Sequence, residues 1–194
     1  DEGLHGGDSL TLARMKRQFN AQRLEVQAFA EDAAQLSGQG RVSDFPRLSE
    51  EAGGRGGERP VNWSAQGELI NPRHVQPEVW LHLNASTVLP LTCQRCLEPV
   101  EVPLAVDRSF RFVADESTAA AQDEESEEDL LAISRAFDLL GLVEDELLME
   151  VPVVPRHEVC PKPVALSAAD PDFEEAEPAE NPFAALKLLK GGKG

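Results

Sequence analysis

The chain has 194 residues, enough for one domain of ordinary size with tails, and a formal net charge of −17. That charge sits mainly in residues 114–194, which hold 20 acidic and 6 basic side chains, against 5 and 4 in residues 60–113 and 10 and 8 in residues 1–59. Phosphate is repelled by such a surface, and no run of about 18 apolar residues occurs, so DNA binding, a general grip on RNA and an ordinary transmembrane helix are not expected.

Residues 1–14 are glycine-rich and unpatterned, without the basic start or apolar centre of a signal peptide, and are expected to be a disordered extension. From there Val26, Phe29, Ala33 and Leu36 fall at helical spacing, with Asn20 as cap and Gly38 and Gly40 as stops, which predicts a helix over about 22–36. "EEAGGRGGERP" (50–60) carries glycine and charge and reads as a flexible connection. "VNWSAQGELI" is a first strand and "NPRHVQP" a turn, followed by a long strand with Val79, Leu81, Leu83, Ala85, Leu89 and Leu91 on one face. A third strand sets Val100, Val102, Leu104, Val106, Phe110 and Phe112 on its own buried face. The short connection between the last two predicts a hairpin with "CQRC" at its tip.

The acidic run over about 114–130 has too little apolar surface to offset its ordering entropy and is expected to be a flexible loop. Order returns in "FDLLGLVEDELLME", where Asp138 can cap a helix over 139–149 that puts Leu139, Leu140, Val143 and Leu147 on one side and Glu144, Asp145 and Glu150 largely on another. Residues 151–155 read as a short edge strand because of their prolines. Residues 166–194 form an acidic tail ending in a short helical segment with Phe183 and Leu186 at helical spacing, which orders on a partner. The fold class is α+β. An antiparallel sheet over about 61–113 packs against the helices within one domain of residues 15–165, with disordered acidic segments.

Cys93 and Cys96 can reach one ion from a tight turn, and "RHEVC" offers His157 and Cys160, so these four residues make a candidate Cys3His zinc set. Two alternatives stand beside it. The cysteines are reduced surface thiols, or Cys93 and Cys96 are a dithiol of a thiol oxidoreductase, although such a pair belongs at a helix start and here strands flank it. Three cysteines in this arrangement do not make a disulfide framework and fit a reducing cytoplasm. His82 reads as a satisfied strand-surface residue, and no phosphate loop or nucleophile motif is present. Glu144, Asp145 and Glu146 lie on the ordered helix. As acids in a run they suit docking of a basic protein better than catalysis, the rival being a Mg²⁺-dependent RNase. Direct RNA contact is confined to Arg108, Phe110, Arg111 and Phe112.

"LTCQRCLEPVEV", "FRF" with an acidic spacer, "DLLGLVEDELLMEVPVVPRHEVC" and "NPFAALKLLK", in this order, resemble the YceD family, the large ribosomal RNA subunit accumulation proteins of bacteria. The resemblance covers roughly residues 15–190. It implies a non-enzymatic role in the synthesis, processing or stability of 23S ribosomal RNA in the cytoplasm, with no catalytic residues to carry over. A net charge of −17 fits poorly with holding that RNA directly. The expected partner is therefore a basic ribosomal protein or assembly factor, bound by Glu144, Asp145, Glu146, Phe183 and Leu186, with direct binding of ribosomal RNA as the alternative.

Overall fold

The computed structural model describes residues 17–75, 77–122, 126 and 128–162. Strands β1 (Gln35–Arg41), β2 (Pro60–Ile70), β3 (Glu78–Thr92), β4 (Pro99–Val113) and β5 (Asp129–Ala132) lie in that order across one sheet. The first four form an antiparallel meander, while β5 pairs parallel to β4, with Phe110 opposite Asp129 and Val113 opposite Ala132. The α+β class is as expected, but the sheet is mixed. A parallel neighbour needs a crossover longer than a hairpin turn, and the acidic segment after β4 supplies it.

Alternation builds the core. Val61 and Ala65 of β2, Leu81, Leu83, Leu89 and Leu91 of β3, and Val100, Leu104, Val106, Phe110 and Phe112 of β4 are buried on one face. Over it lie α1 (Val26–Glu31), α2 (Pro46–Glu51) and α4 (Leu139–Met149), which contribute Phe29, Leu48, Leu139, Val143 and Leu147 to the same core. Asp138 caps α4 as its sequence suggests, accepting from the Gly141 N–H at 3.0 Å. The other face carries small polar groups such as Ser37, Asn62, Ser64, Asn84 and Ser86, with Gln35–Gln66 and Gln39–Asn62 side-chain bonds linking β1 to β2.

One close approach fixes the α1 position. A Cβ on Gly67 would stand 2.7 Å from both Cδ1 and the carbonyl oxygen of Phe29, so the helix backbone rests directly on the strand. Gly67→Ala is expected to cost about 1–3 kcal/mol through overpacking, seen as a lower urea midpoint at unchanged slope. An unchanged midpoint would mean that α1 yields freely.

Three expected elements differ. The helix predicted over 22–36 is confined to Val26–Glu31, because Ala33 takes a left-handed φ of 45° and the chain then enters β1. Gly38, read as a helix stop, pairs opposite Trp63 within the strand, where a Cβ would meet the indole at 2.5 Å. The loop expected near 114–130 is partly regular: Glu116–Gln122 forms α3, and Asp129–Ala132 is β5. Asp115 starts α3 by accepting from the Thr118 N–H at 2.7 Å, and the run Ala119–Ala121 has high helix propensity. The edge strand expected at 151–155 does not form; the segment bends instead, and Pro155 meets the hairpin through its carbonyl. Of residues 50–60, read as a connection, Glu50 and Glu51 end α2, Pro60 opens β2, and turns lie between them. The N-terminal extension and the tail with Phe183 and Leu186 lie outside the described residues.

Candidate metal centre

The β3–β4 hairpin is closed at Thr92 opposite Pro99, and its tip carries both cysteines of the Cys-x-x-Cys pair. The Cys93 N–H donates to the Glu98 carbonyl at 2.9 Å, and the Leu97 N–H returns to the Cys93 carbonyl at 2.9 Å. The tightness of this turn puts Leu97 at a φ of 61°, a conformation unusual for a branched apolar residue. After α4 the chain comes back to the tip. The Gln94 N–H donates to the Pro155 carbonyl at 2.8 Å, and this bond brings the stretch with His157 and Cys160 against the knuckle.

The sulfurs of Cys93, Cys96 and Cys160 and a ring nitrogen of His157 all lie within 4.8 Å of one another. Cys93 is fully buried, and the other three are partly buried. His157 Nε2 lies 3.0 Å from the Pro99 carbonyl oxygen, which can only accept, so Nε2 carries the proton. Its Nδ1 lone pair is thereby turned to the cluster, 3.5 Å from Cys96 Sγ. Such an orienting carbonyl is the usual companion of a metal-bound imidazole.

The electrostatics point the same way. Burial pushes the Cys93 thiol up, but N–H groups of Cys96, His157 and Arg95 aimed at its sulfur outweigh this and hold its pKa at about 5. Cys160 is raised by burial and by its bonds to the Cys96 and Cys93 sulfurs. One site thus favours a thiolate while crowding three sulfurs, a repulsion that a divalent cation relieves. With Zn–S near 2.3 Å and Zn–N near 2.0 Å, a tetrahedral set spaces its donors by about 3–4 Å, which this cluster can meet with small shifts. All four positions are filled by protein, the arrangement of a structural rather than a catalytic zinc. The helix start expected of a redox dithiol is absent from this strand–turn–strand setting.

The acidic residues of α4 separate. Glu144 is buried: its Oε1 accepts from the N–H groups of Arg47 (2.7 Å) and Leu48 (3.3 Å), and its Oε2 from Arg47 Nε (3.1 Å) and Nη2 (3.0 Å). Glu146 is buried too, with Arg108 Nε at 3.4 Å, and burial pushes its carboxyl above the usual range against the pull of that arginine. Asp145 is exposed and pairs with Arg47. Arg108 also meets Asp129 at 3.2 Å, and Arg111 lies 3.9 Å from Glu128, so carboxylates accompany both arginines of the strand singled out for RNA.

His82 is a satisfied strand-surface residue, as expected, but the polar line it forms on the open face with Ser109 and Glu68 was not foreseen. His82 Nδ1 is 2.8 Å from Ser109 Oγ, and its Nε2 is 2.8 Å from Glu68 Oε2. The residue types match a hydrolase triad, but Ser109 sits in the middle of a strand instead of on a strand-to-helix turn, and Glu68 is half-exposed. The signal lay in the register, which sets His82 opposite Ser109 and beside the β2 strand.

Fold and cluster together define an α+β sheet domain whose longest hairpin ends in a knuckle-type thiolate–imidazole set. The chain belongs to the YceD family: the family described as large ribosomal RNA subunit accumulation protein YceD matches residues 81–190, which include all four cluster residues. It is similar to a large ribosomal RNA subunit accumulation protein YceD of Haemophilus influenzae, with 31% identity over 141 residues, 69% of this chain and 79% of that protein. No solved structure matches the chain. No helix among the described residues is long and apolar enough to cross a membrane.

Proposed function

We propose that this protein acts without catalysis of its own in the accumulation of 23S ribosomal RNA, as a zinc-stapled cytoplasmic factor that docks a basic ribosomal protein or assembly factor. Membership of a family named for large-subunit RNA accumulation carries the first half of this reading. The second half rests on charge. Arg108 and Arg111, the cations best placed on a strand to hold phosphate, are each accompanied by a carboxylate, whereas the chain as a whole is at −17. A cation already paired displaces few counterions from RNA, so direct binding is weakly supported. Zinc at Cys93, Cys96, His157 and Cys160 supplies folding energy at the hairpin tip and no chemistry to a substrate. On α4 the outward group is Asp145; we assign it to docking together with Phe183 and Leu186, while Glu144 and Glu146 hold the surface in place from within.

The test is affinity capture with the full chain as bait, with and without nuclease, across a salt series. A basic ribosomal protein should remain after nuclease and be lost as salt rises, because exposed ion pairs are screened beyond a Debye length of about 8 Å near 0.15 M. Removing residues 170–194 should weaken its recovery. Recovery that depends wholly on intact RNA, and ignores the deletion, would overturn the protein-partner reading in favour of direct RNA binding.

A further inference from the structure

At the β1 edge of the core face the helical layer stops short, leaving an open cavity of about 550 Å³ between β1, β2, the start of α2 and the start of α4. Its floor is aromatic. Trp63 lies half-buried against Gly38, and the Phe45 ring lies against Gly40, so that the two glycines leave room where side chains would close the cavity. Its rim is acidic: Asp44, Asp138 and Glu144 line it, and among the described residues no lysine or arginine does.

The three carboxylates are not equivalent. Glu144 is neutralised by Arg47, as described above. Asp44 accepts from the Arg41 backbone N–H at 2.8 Å, and Asp138 accepts from the Gly141 N–H at 3.0 Å. Each of these bonds uses one oxygen of an exposed carboxylate, and neither residue has an ion-pair partner among the described residues. Two uncompensated negative charges therefore flank an accessible indole. An indole face attracts a cation through its quadrupole, and a planar guanidinium can stack on it while its N–H groups reach carboxylates at the edge.

We propose that this cavity receives an arginine side chain of the basic protein partner, stacked on Trp63 and held by Asp44 and Asp138. The proposal rests on the protein-partner reading and deepens it by naming the point of recognition. It is a distinct surface from the metal cluster, so zinc loading and arginine capture are separable.

Trp63 and Trp80 are the two tryptophans of the chain, so Trp80→Phe in the full-length protein leaves Trp63 as the sole indole. The probe is a blocked decapeptide of alternating arginine and glycine, followed by indole emission and by calorimetry. A saturable change in emission is expected, with affinity lowered about tenfold or more in Asp44→Asn/Asp138→Asn. Asparagine keeps a side-chain oxygen for each cap and removes only the charge, so that variant should fold normally. Heat without a change in Trp63 emission, or equal affinity in the double variant, would place the peptide elsewhere on the acidic chain and overturn the proposal. Capture of a basic ribosomal protein that survives the double variant would do the same while leaving the protein-partner reading intact. Conversely, peptide binding of the expected kind with no basic protein captured would remove that reading and keep the cavity. Several-fold tighter peptide binding after deletion of residues 181–194 would identify the chain's own Lys187, Lys190 or Lys193 as the occupant and overturn the assignment to a partner.

Discussion

Protein purified without a histidine tag is expected to hold about one zinc per chain, and stripping that zinc, or replacing Cys93 by serine, should lower the unfolding temperature by roughly 10–20 °C. The magnitude follows from the geometry. Structural zinc in small domains contributes about 10–16 kcal/mol of apparent binding energy at neutral pH, but here most of the sheet core lies away from the cluster and only Cys93, with Cys96 and Cys160 against it, joins the two, so only the part coupled to the tip is felt globally. A loss of about 5 kcal/mol, at about 2–4 °C per kcal/mol for a chain of this size, gives the quoted range. The damage should be local before it is global. Without metal, the sulfur crowding around Cys93, Cys96 and Cys160 is unrelieved, and the segment carrying His157 and Cys160 is held by the Gln94–Pro155 bond, the His157–Pro99 bond and the exposed Lys162–Glu98 ion pair. Hydrogen exchange should therefore speed up first at Gln94, whose N–H bonds the returning segment at Pro155, and at Cys93 and Leu97, whose N–H groups bond within the tip, while the centre of β3 stays protected. Metal-free protein with unchanged melting and unchanged exchange at those amides would refute the structural-zinc reading.

Much of the fold was legible because a strand period of two leaves little freedom. Val79 to Leu91 and Val100 to Phe112 alternate so regularly that their common burial, and the hairpin with cysteines at its tip, follow directly. The helix 139–149 was equally plain, since Asp138 marks its start and Val143 and Leu147 its inner face. Misreadings arose where two periods overlap. Leu36 completes a helical series with Val26 and Phe29, yet it also alternates with Gln35 and Ser37, and pairing with β2 decides for the strand. The acidic segment was judged by its charge, which hid a capping Asp115 and an alanine run. For the candidate site, Cys93 and Cys96 are local and visible, whereas His157 and Cys160 join them only through the return of the chain after α4. Residue counting could nominate them, but the turn of His157 Nδ1 to the cluster depends on the Pro99 carbonyl, which no spacing encodes.

Glu144, Asp145 and Glu146 look alike in sequence, and substitution should separate them sharply. Glu144→Ala is expected to cost about 3 kcal/mol, against less than about 0.5 kcal/mol for Asp145→Asn. The first figure has two parts. Removing the carboxylate leaves the N–H groups of Arg47 and Leu48, in the first turn of α2, without their cap, a loss of about 1 kcal/mol. It also removes the charge-assisted bonds that the buried Glu144 carboxylate accepts from the half-exposed Arg47 guanidinium, the larger part of the loss even after solvent screening of the arginine. A fall of about 6–12 °C in unfolding temperature should follow. Glu144→Gln keeps an oxygen for the two backbone donors and should recover about a third of the loss, so the series Ala, Gln, Glu reports the cap and the charge separately. If the acids of α4 acted mainly as a docking patch, the order would reverse: stability would be nearly unchanged in Glu144→Ala, and partner capture would fall in all three positions alike. If Glu144 is instead the tie between α4 and α2, capture by Glu144→Ala falls only as far as the folded population does, while Asp145→Asn weakens capture at full stability. Measuring melting and capture on the same preparations distinguishes the two, because a buried carboxylate with four donors has no capacity left for a partner, whereas the exposed Asp145 meets Arg47 through one oxygen and turns the other to solvent.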